Sequence, residues 1–132
     1  MRLSSDRKPT FTEARRYFTH AEEILRTKAG RANGRYTDPK YVKMAGHTAW
    51  DGVLVAVDEY MVRKGIEKTK GRKDRTWYLT ELSKLNRRIA QSFSDLYSAL
   101  HLSMGYDGLP LRKPIKSYLE EARNLIRLCE KG

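Results

Sequence analysis

The chain has 132 residues, of which 33% are charged, with 27 Lys and Arg against 16 Asp and Glu, a net charge of +11 and one cysteine. That length suits a single domain whose core needs no disulfide or metal staple, and a lone Cys129 excludes an intramolecular disulfide. No run approaches the roughly 20 apolar residues of a membrane span, and the charged stretch Met1 to Pro9 lacks a signal-peptide core. A cytoplasmic domain over residues 10–132 is expected, with a disordered lead-in over 1–9 and no membrane partner.

The first helix is announced by Thr10 as N-cap and Glu13 at capping-box spacing, which satisfies two free backbone N–H groups. Phe11, Ala14, Phe18, Ala21 and Leu25 then recur at three- and four-residue steps, one helical stripe, with Tyr17 and Ile24 beside it. The pattern ends near Lys28 and Ala29, and Gly30, Asn33 and Gly34 open a loop.

Asp38 and Pro39 mark the second helix, as N-cap and first helical residue. Its stripe runs from Tyr41 through Ala45, Ala49, Val53, Val57 and Tyr60, and Trp50, Leu54, Val55 and Met61 make its middle apolar nearly all round. Such a helix is contacted on several sides. Gly65 supplies a left-handed stop after Lys64.

Residues 66–73 read as a charged loop, and Asp74 can cap a helix carrying Tyr78, Leu79 and Leu82. Helical pattern continues through Ile89, Phe93, Leu96, Leu100 and Met104, as one helix or as two broken near Asn86. Gly105 stops the run, and Tyr106, Asp107 and Gly108 read as a turn. The last helix begins near Pro114 and aligns Ile115, Leu119, Ala122, Leu125 and Cys129, which makes Cys129 a small buried hydrophobe. No alternating strand pattern appears. The expected fold is all-α, an antiparallel bundle of four main helices with the third region in one or two pieces.

The charge is densest from Arg63 to Arg75, and such a field attracts polyanions. Lys68, Lys70, Arg72, Lys73 and Arg75 are candidate nucleic-acid contacts, or a solvated connector. In the loop before Asp38, Arg35 and Tyr36 interleave a cation with a stacking ring. His47 and Asp51 share one face of the second helix, with Asp58 two turns on. They read either as a polar site between helices or as a solvent-facing stripe. A second cluster, Tyr97, His101, Tyr106 and Asp107, reads either as a functional end of the bundle or as a helix end with a tyrosine folded on the core. The three histidines and Cys129 show no metal spacing, and the common nucleotide and hydrolase motifs are absent. Neither a metal nor a cofactor is expected.

Three stretches carry a resemblance: Ala14 to Ala21 continuing to Leu25, Tyr41 to Trp50, and Leu100 to Gly108. Together they resemble the HEPN superfamily of small helical bundles. Residues 35–60 and 97–108 look most like an uncharacterised bacterial single-domain family within it. The resemblance implies homodimers, and in many members a metal-independent ribonuclease built from an R-x(4–6)-H motif. The positions that would hold the arginine before His101 are Leu96, Asp95 and Ser94. Arg15 and His20 have the spacing, but on the first helix. The resemblance therefore points to a non-enzymatic branch that binds RNA, DNA or a protein partner through its basic surface. The alternative is a ribonuclease with an atypical site around His101, Tyr106 and Asp107, joined by His47.

Overall fold

Helix α1, Thr12–Lys28, and helix α2, Pro39–Arg63, form the most extensive helix pair of the protein, joined by a short hairpin of β1, Arg31–Ala32, and β2, Arg35–Tyr36. Helix α3, Arg75–Leu85, and helix α4, Arg87–Leu96, follow; α4 runs directly into a π-helical segment, Tyr97–Met104, and helix α5, Arg112–Lys131, closes the chain. The computed structural model describes residues 11–67 and 71–132. The protein is thus mostly helical, with one small antiparallel sheet. Among the described residues no helix is long and apolar enough to cross a membrane.

Three helices start as local chemistry dictates. Asp38 accepts from the Lys40 N–H at 3.0 Å, Asp74 from the Trp77 N–H at 2.8 Å, and Asn86 from the Arg88 and Ile89 N–H groups at 2.9 and 3.1 Å. Each oxygen satisfies donors that an opening helical turn leaves free. Asn86 itself is extended, at φ −162° and ψ 113°, which divides 74–104 between α3 and α4.

The start of α1 differs. Phe11 is the capping residue, left-handed at φ 56° and fully buried, and Glu13 pairs with Arg16 at 3.0 Å. The Phe11 N–H donates to the Glu59 carboxylate of α2 at 3.1 Å, a cap supplied from another helix. Thr10 and the expected lead-in lie outside the described residues.

The loop expected over 30–37 is a β-hairpin. Asn33 at φ 50° and Gly34 at φ 74° form its two-residue turn. Two left-handed residues in succession give the twist that matches paired strands, and Asn-Gly meets that need.

The expected stripes are the core. Phe18, Ala21 and Leu25 of α1, Val53, Val57 and Tyr60 of α2, Ile89 and Phe93 of α4, and Ile115, Leu125 and Cys129 of α5 are all buried. Helix α2 contacts α1, α4, α5 and the π-helical segment, as its apolar girth requires. Its remaining face, with Met44, His47 and Asp51, is exposed.

Where α2 crosses the π-helical segment, the backbones meet. A methyl group on Gly46 would lie 2.6 Å from the Gly105 nitrogen, and one on Gly105 would lie 2.7 Å from the His101 carbonyl oxygen. Gly105 has φ −68°, so it is required here for its lack of a side chain. Gly108, at φ 69°, supplies the left-handed residue of the turn.

Candidate nucleic-acid interface

The hairpin is docked, not free. Its second strand, β2, lies between β1 and the segment before α5, held by the Tyr36 N–H donating to the Pro110 carbonyl at 2.8 Å and by the Arg112 N–H donating to the Gly34 carbonyl at 3.1 Å. The Thr37 and Asp38 N–H groups bond the Ala29 carbonyl at 3.1 and 2.9 Å. These bonds bring a loop that follows α1 onto the first residues of α5, about eighty positions along the chain.

That docking gathers cations. Arg31, Arg35, Lys113 and Lys116 are exposed around a half-buried Tyr36, and the Arg112 guanidinium lies 5.8 Å from the Tyr36 ring centroid. Among the described residues, none of these five cations has a carboxylate within 4.0 Å, whereas Arg15, Arg16, Arg26, Lys73, Lys84 and Arg123 each do. The first turn of α5 carries no acidic residue. Like charges gathered without counter-charge repel one another, and a bound polyanion relieves that repulsion.

A groove of about 360 Å³ opens beside Tyr36, between the hairpin, α1 and α5. Leu25, Ile115 and Leu119 line it with Tyr36, and Arg31, Arg112, Lys116 and Arg123 stand around it. Glu22 and Glu120 are also on its wall; Glu22 is held by Arg123 through two bonds of 2.7 and 3.3 Å, and Glu120 is exposed. The Arg112 Nε is buried and has no acceptor among the described residues.

The second site-like region lies on the π-helical segment. Its wide turns are seen in the Gly105 N–H donating to the Leu100 carbonyl at 2.9 Å and the Asp107 N–H to the Leu102 carbonyl at 2.9 Å; such segments are frequent at functional sites. His101 packs against Tyr97 at 5.1 Å, His47 at 5.8 Å and Trp50 at 6.0 Å between ring centroids. The Arg75 guanidinium covers Tyr97 at 4.7 Å. The His101 Nδ1 is buried without a partner among the described residues.

The family model for a domain of unknown function (DUF5618) matches residues 9–131. The chain belongs to this family. A solved structure of a protein of unknown function from Dyadobacter fermentans is similar to it, at 44% sequence identity and a TM-score of 0.84, over 92% of this chain and 94% of that one. No protein of curated function matches.

Within this DUF5618 fold the sequence-derived candidates fall into three places. His47 and His101 come together, with Tyr97 and Trp50 between helices; Asp51 is exposed one turn along from His47. Tyr106 is 76% exposed and Asp107 is exposed, and neither is among the rings packed on His101. Asp58 accepts from the Tyr78 hydroxyl at 2.9 Å and from Lys73 at 3.1 Å, a separate polar contact. Of the basic candidates, Arg72 is exposed, Lys73 is held by Asp58, and Arg75 lies on Tyr97. Lys68 and Lys70 lie outside the described residues.

Arg35 and Tyr36 sit at the centre of the cation cluster. Arg31, Arg112, Lys113 and Lys116 are missed by sequence reasoning, because their proximity is created by hydrogen bonds between distant segments. Among the described residues no cluster of three or more His, Cys, Asp or Glu could hold a metal ion.

Proposed function

We propose that the chain is a non-enzymatic, HEPN-like helical domain of the cytoplasm that binds nucleic acid through the surface formed by the hairpin and the start of α5. The observation that carries this reading is the convergence of Arg31, Arg35, Arg112, Lys113 and Lys116 around Tyr36 with no carboxylate paired to any of them. The net charge of +11 supplies long-range attraction, and Tyr36 supplies a ring on which a base can stack. The resemblance adds a homodimer, for which exposed Met44, Leu102 and Tyr106 offer apolar side chains.

The test is anisotropy of a labelled RNA oligonucleotide across a salt series. Five phosphate contacts to a single strand correspond to an affinity loss of about 100-fold between 50 and 200 mM salt. Reversing the charge of Arg35, Arg112 and Lys113 together should abolish binding, while reversing exposed Arg72 should leave most of it. Absence of binding to RNA and DNA at 50 mM salt would sink the reading and turn attention to a protein partner.

A further inference from the structure

A surface that only neutralises phosphates needs cations and nothing else. The groove beside Tyr36 has more. Its floor is Leu25, Ile115 and Leu119, its wall is the Tyr36 ring, and its volume of about 360 Å³ lies in the range of small-ligand sites. A duplex presents phosphates and base edges to a protein and keeps its ring faces stacked inside. An unpaired base can be splayed out and laid on an aromatic and apolar surface. Resting on the nucleic-acid reading above, we propose that this groove takes one unpaired nucleotide of a single strand, its base against Tyr36 and the apolar floor, its phosphate on Arg112 and Lys116.

Three details support that occupant. Arg112 has no carboxylate within 4.0 Å among the described residues and lines the groove. Its planar guanidinium suits two phosphate oxygens at once. Two carboxylates stand on the groove: Glu22 is neutralised by Arg123 through two bonds of 2.7 and 3.3 Å, and exposed Glu120 is outweighed by Arg31, Arg112 and Lys116 beside it. Beyond Arg112 and Lys116 a second, shallower groove of about 630 Å³ runs past Gly34, Lys113 and Pro114, so both cations stand between two recesses. A strand can cross there with one base on each side.

The experiment compares the intact chain bound to an eight-nucleotide single-stranded RNA, to a duplex of the same sequence, and to AMP. The single strand should bind at least tenfold more tightly than the duplex. Tyr36→Ala should remove that preference, and Tyr36→Phe, which keeps the ring, should restore it. AMP should bind far more weakly than the strand, since it brings one phosphate; saturation by AMP at lower concentration than the strand would overturn the strand as the source. Should Tyr36→Ala not fold, a 5-iodouracil strand cross-linked to the wild-type chain decides the matter, with adducts expected on Tyr36. Equal binding of strand and duplex, or cross-links confined to other elements, overturns the pocket and leaves the basic surface standing. Loss of all binding at low salt overturns the surface itself.

Discussion

Arg112 lies over Tyr36, its guanidinium 5.8 Å from the ring centroid, although the two residues are far apart in the chain. The contact joins the tip region of the hairpin to the first turn of α5, and it sets a fixed cation against an aromatic wall. Backbone bonds from Tyr36 to Pro110 and from Arg112 to Gly34 hold the same two segments together. The side-chain contact is therefore not what keeps the hairpin in place; a partly exposed cation–π pair is worth only about 0.5–1 kcal/mol.

Arg112→Ala should accordingly weaken nucleic-acid binding more than it weakens folding. We expect the salt slope of binding to fall by about one phosphate equivalent, with a denaturation midpoint close to that of the wild type. Anisotropy in a salt series and urea denaturation measure the two. A large loss of stability with an unchanged salt slope would assign Arg112 to structure.

The crossing at Gly46 and Gly105 predicts a sign. Helix propensity alone favours Ala over Gly by about 1 kcal/mol, yet a methyl group on Gly46 would meet backbone at 2.6 and 2.7 Å. Overpacking of that kind costs about 1–3 kcal/mol or more. Gly46→Ala should therefore destabilise the protein, measured as a lower midpoint in chemical denaturation. A stabilised variant would show that the two backbones can separate at little cost.

Alkaline stability follows from three buried groups. Burial, and then Glu130 and Glu59, push the Cys129 thiol up to about 12 from its ordinary 9.0. Burial and then the hydrogen bond to Asp58 raise the Tyr78 phenol above its ordinary 10.0, and burial followed by Cys129 raises Tyr60. Each folded-state value is raised, so the unfolded chain loses these protons first as pH climbs. Stability should be full below pH 9, fall from about pH 9 upward through Cys129, and fall more steeply above about pH 10 as the tyrosines join. Cys129→Ala should delay the onset by about one pH unit. Ellman labelling of native protein at pH 8 should be slow compared with unfolded protein, since the thiol is both buried and protonated.

His101 separates the binding reading from the ribonuclease alternative. Its Nδ1 is buried without a partner among the described residues, and its ring packs on Tyr97, Trp50 and His47. An unsatisfied buried nitrogen costs about 1–3 kcal/mol, so His101→Phe should fold at least as stably as the wild type. Purified wild type should leave RNA intact in the presence of EDTA. Metal-free cleavage that disappears in His101→Phe would instead make His101 and His47 an acid–base pair.

Much of the fold is legible along the chain because its causes act over a few residues. Asp38, Asp74 and Asn86 bond N–H groups two or three positions on, and the stripes from Phe18 to Leu25 and from Ile115 to Cys129 follow helical spacing directly. The hairpin has a local signal too, Asn33–Gly34, but strands of two residues are too short to show alternation. The π-helical segment has none: Leu100 and Met104 keep an ordinary helical spacing, and the segment's close approach to Gly46 joins residues more than fifty positions apart.

The candidate site divides the same way. A basic residue beside an aromatic one, Arg35 with Tyr36, can be read in the sequence, and so can an excess of positive charge. That Arg112, Lys113 and Lys116 join them, that Lys73 is spent on Asp58, and that Glu59 caps α1 from 48 positions away are decided only by the tertiary structure. Composition determines that the chain is basic; packing determines which cations stay unpaired, because a carboxylate neutralises a cation by distance in space and not along the chain.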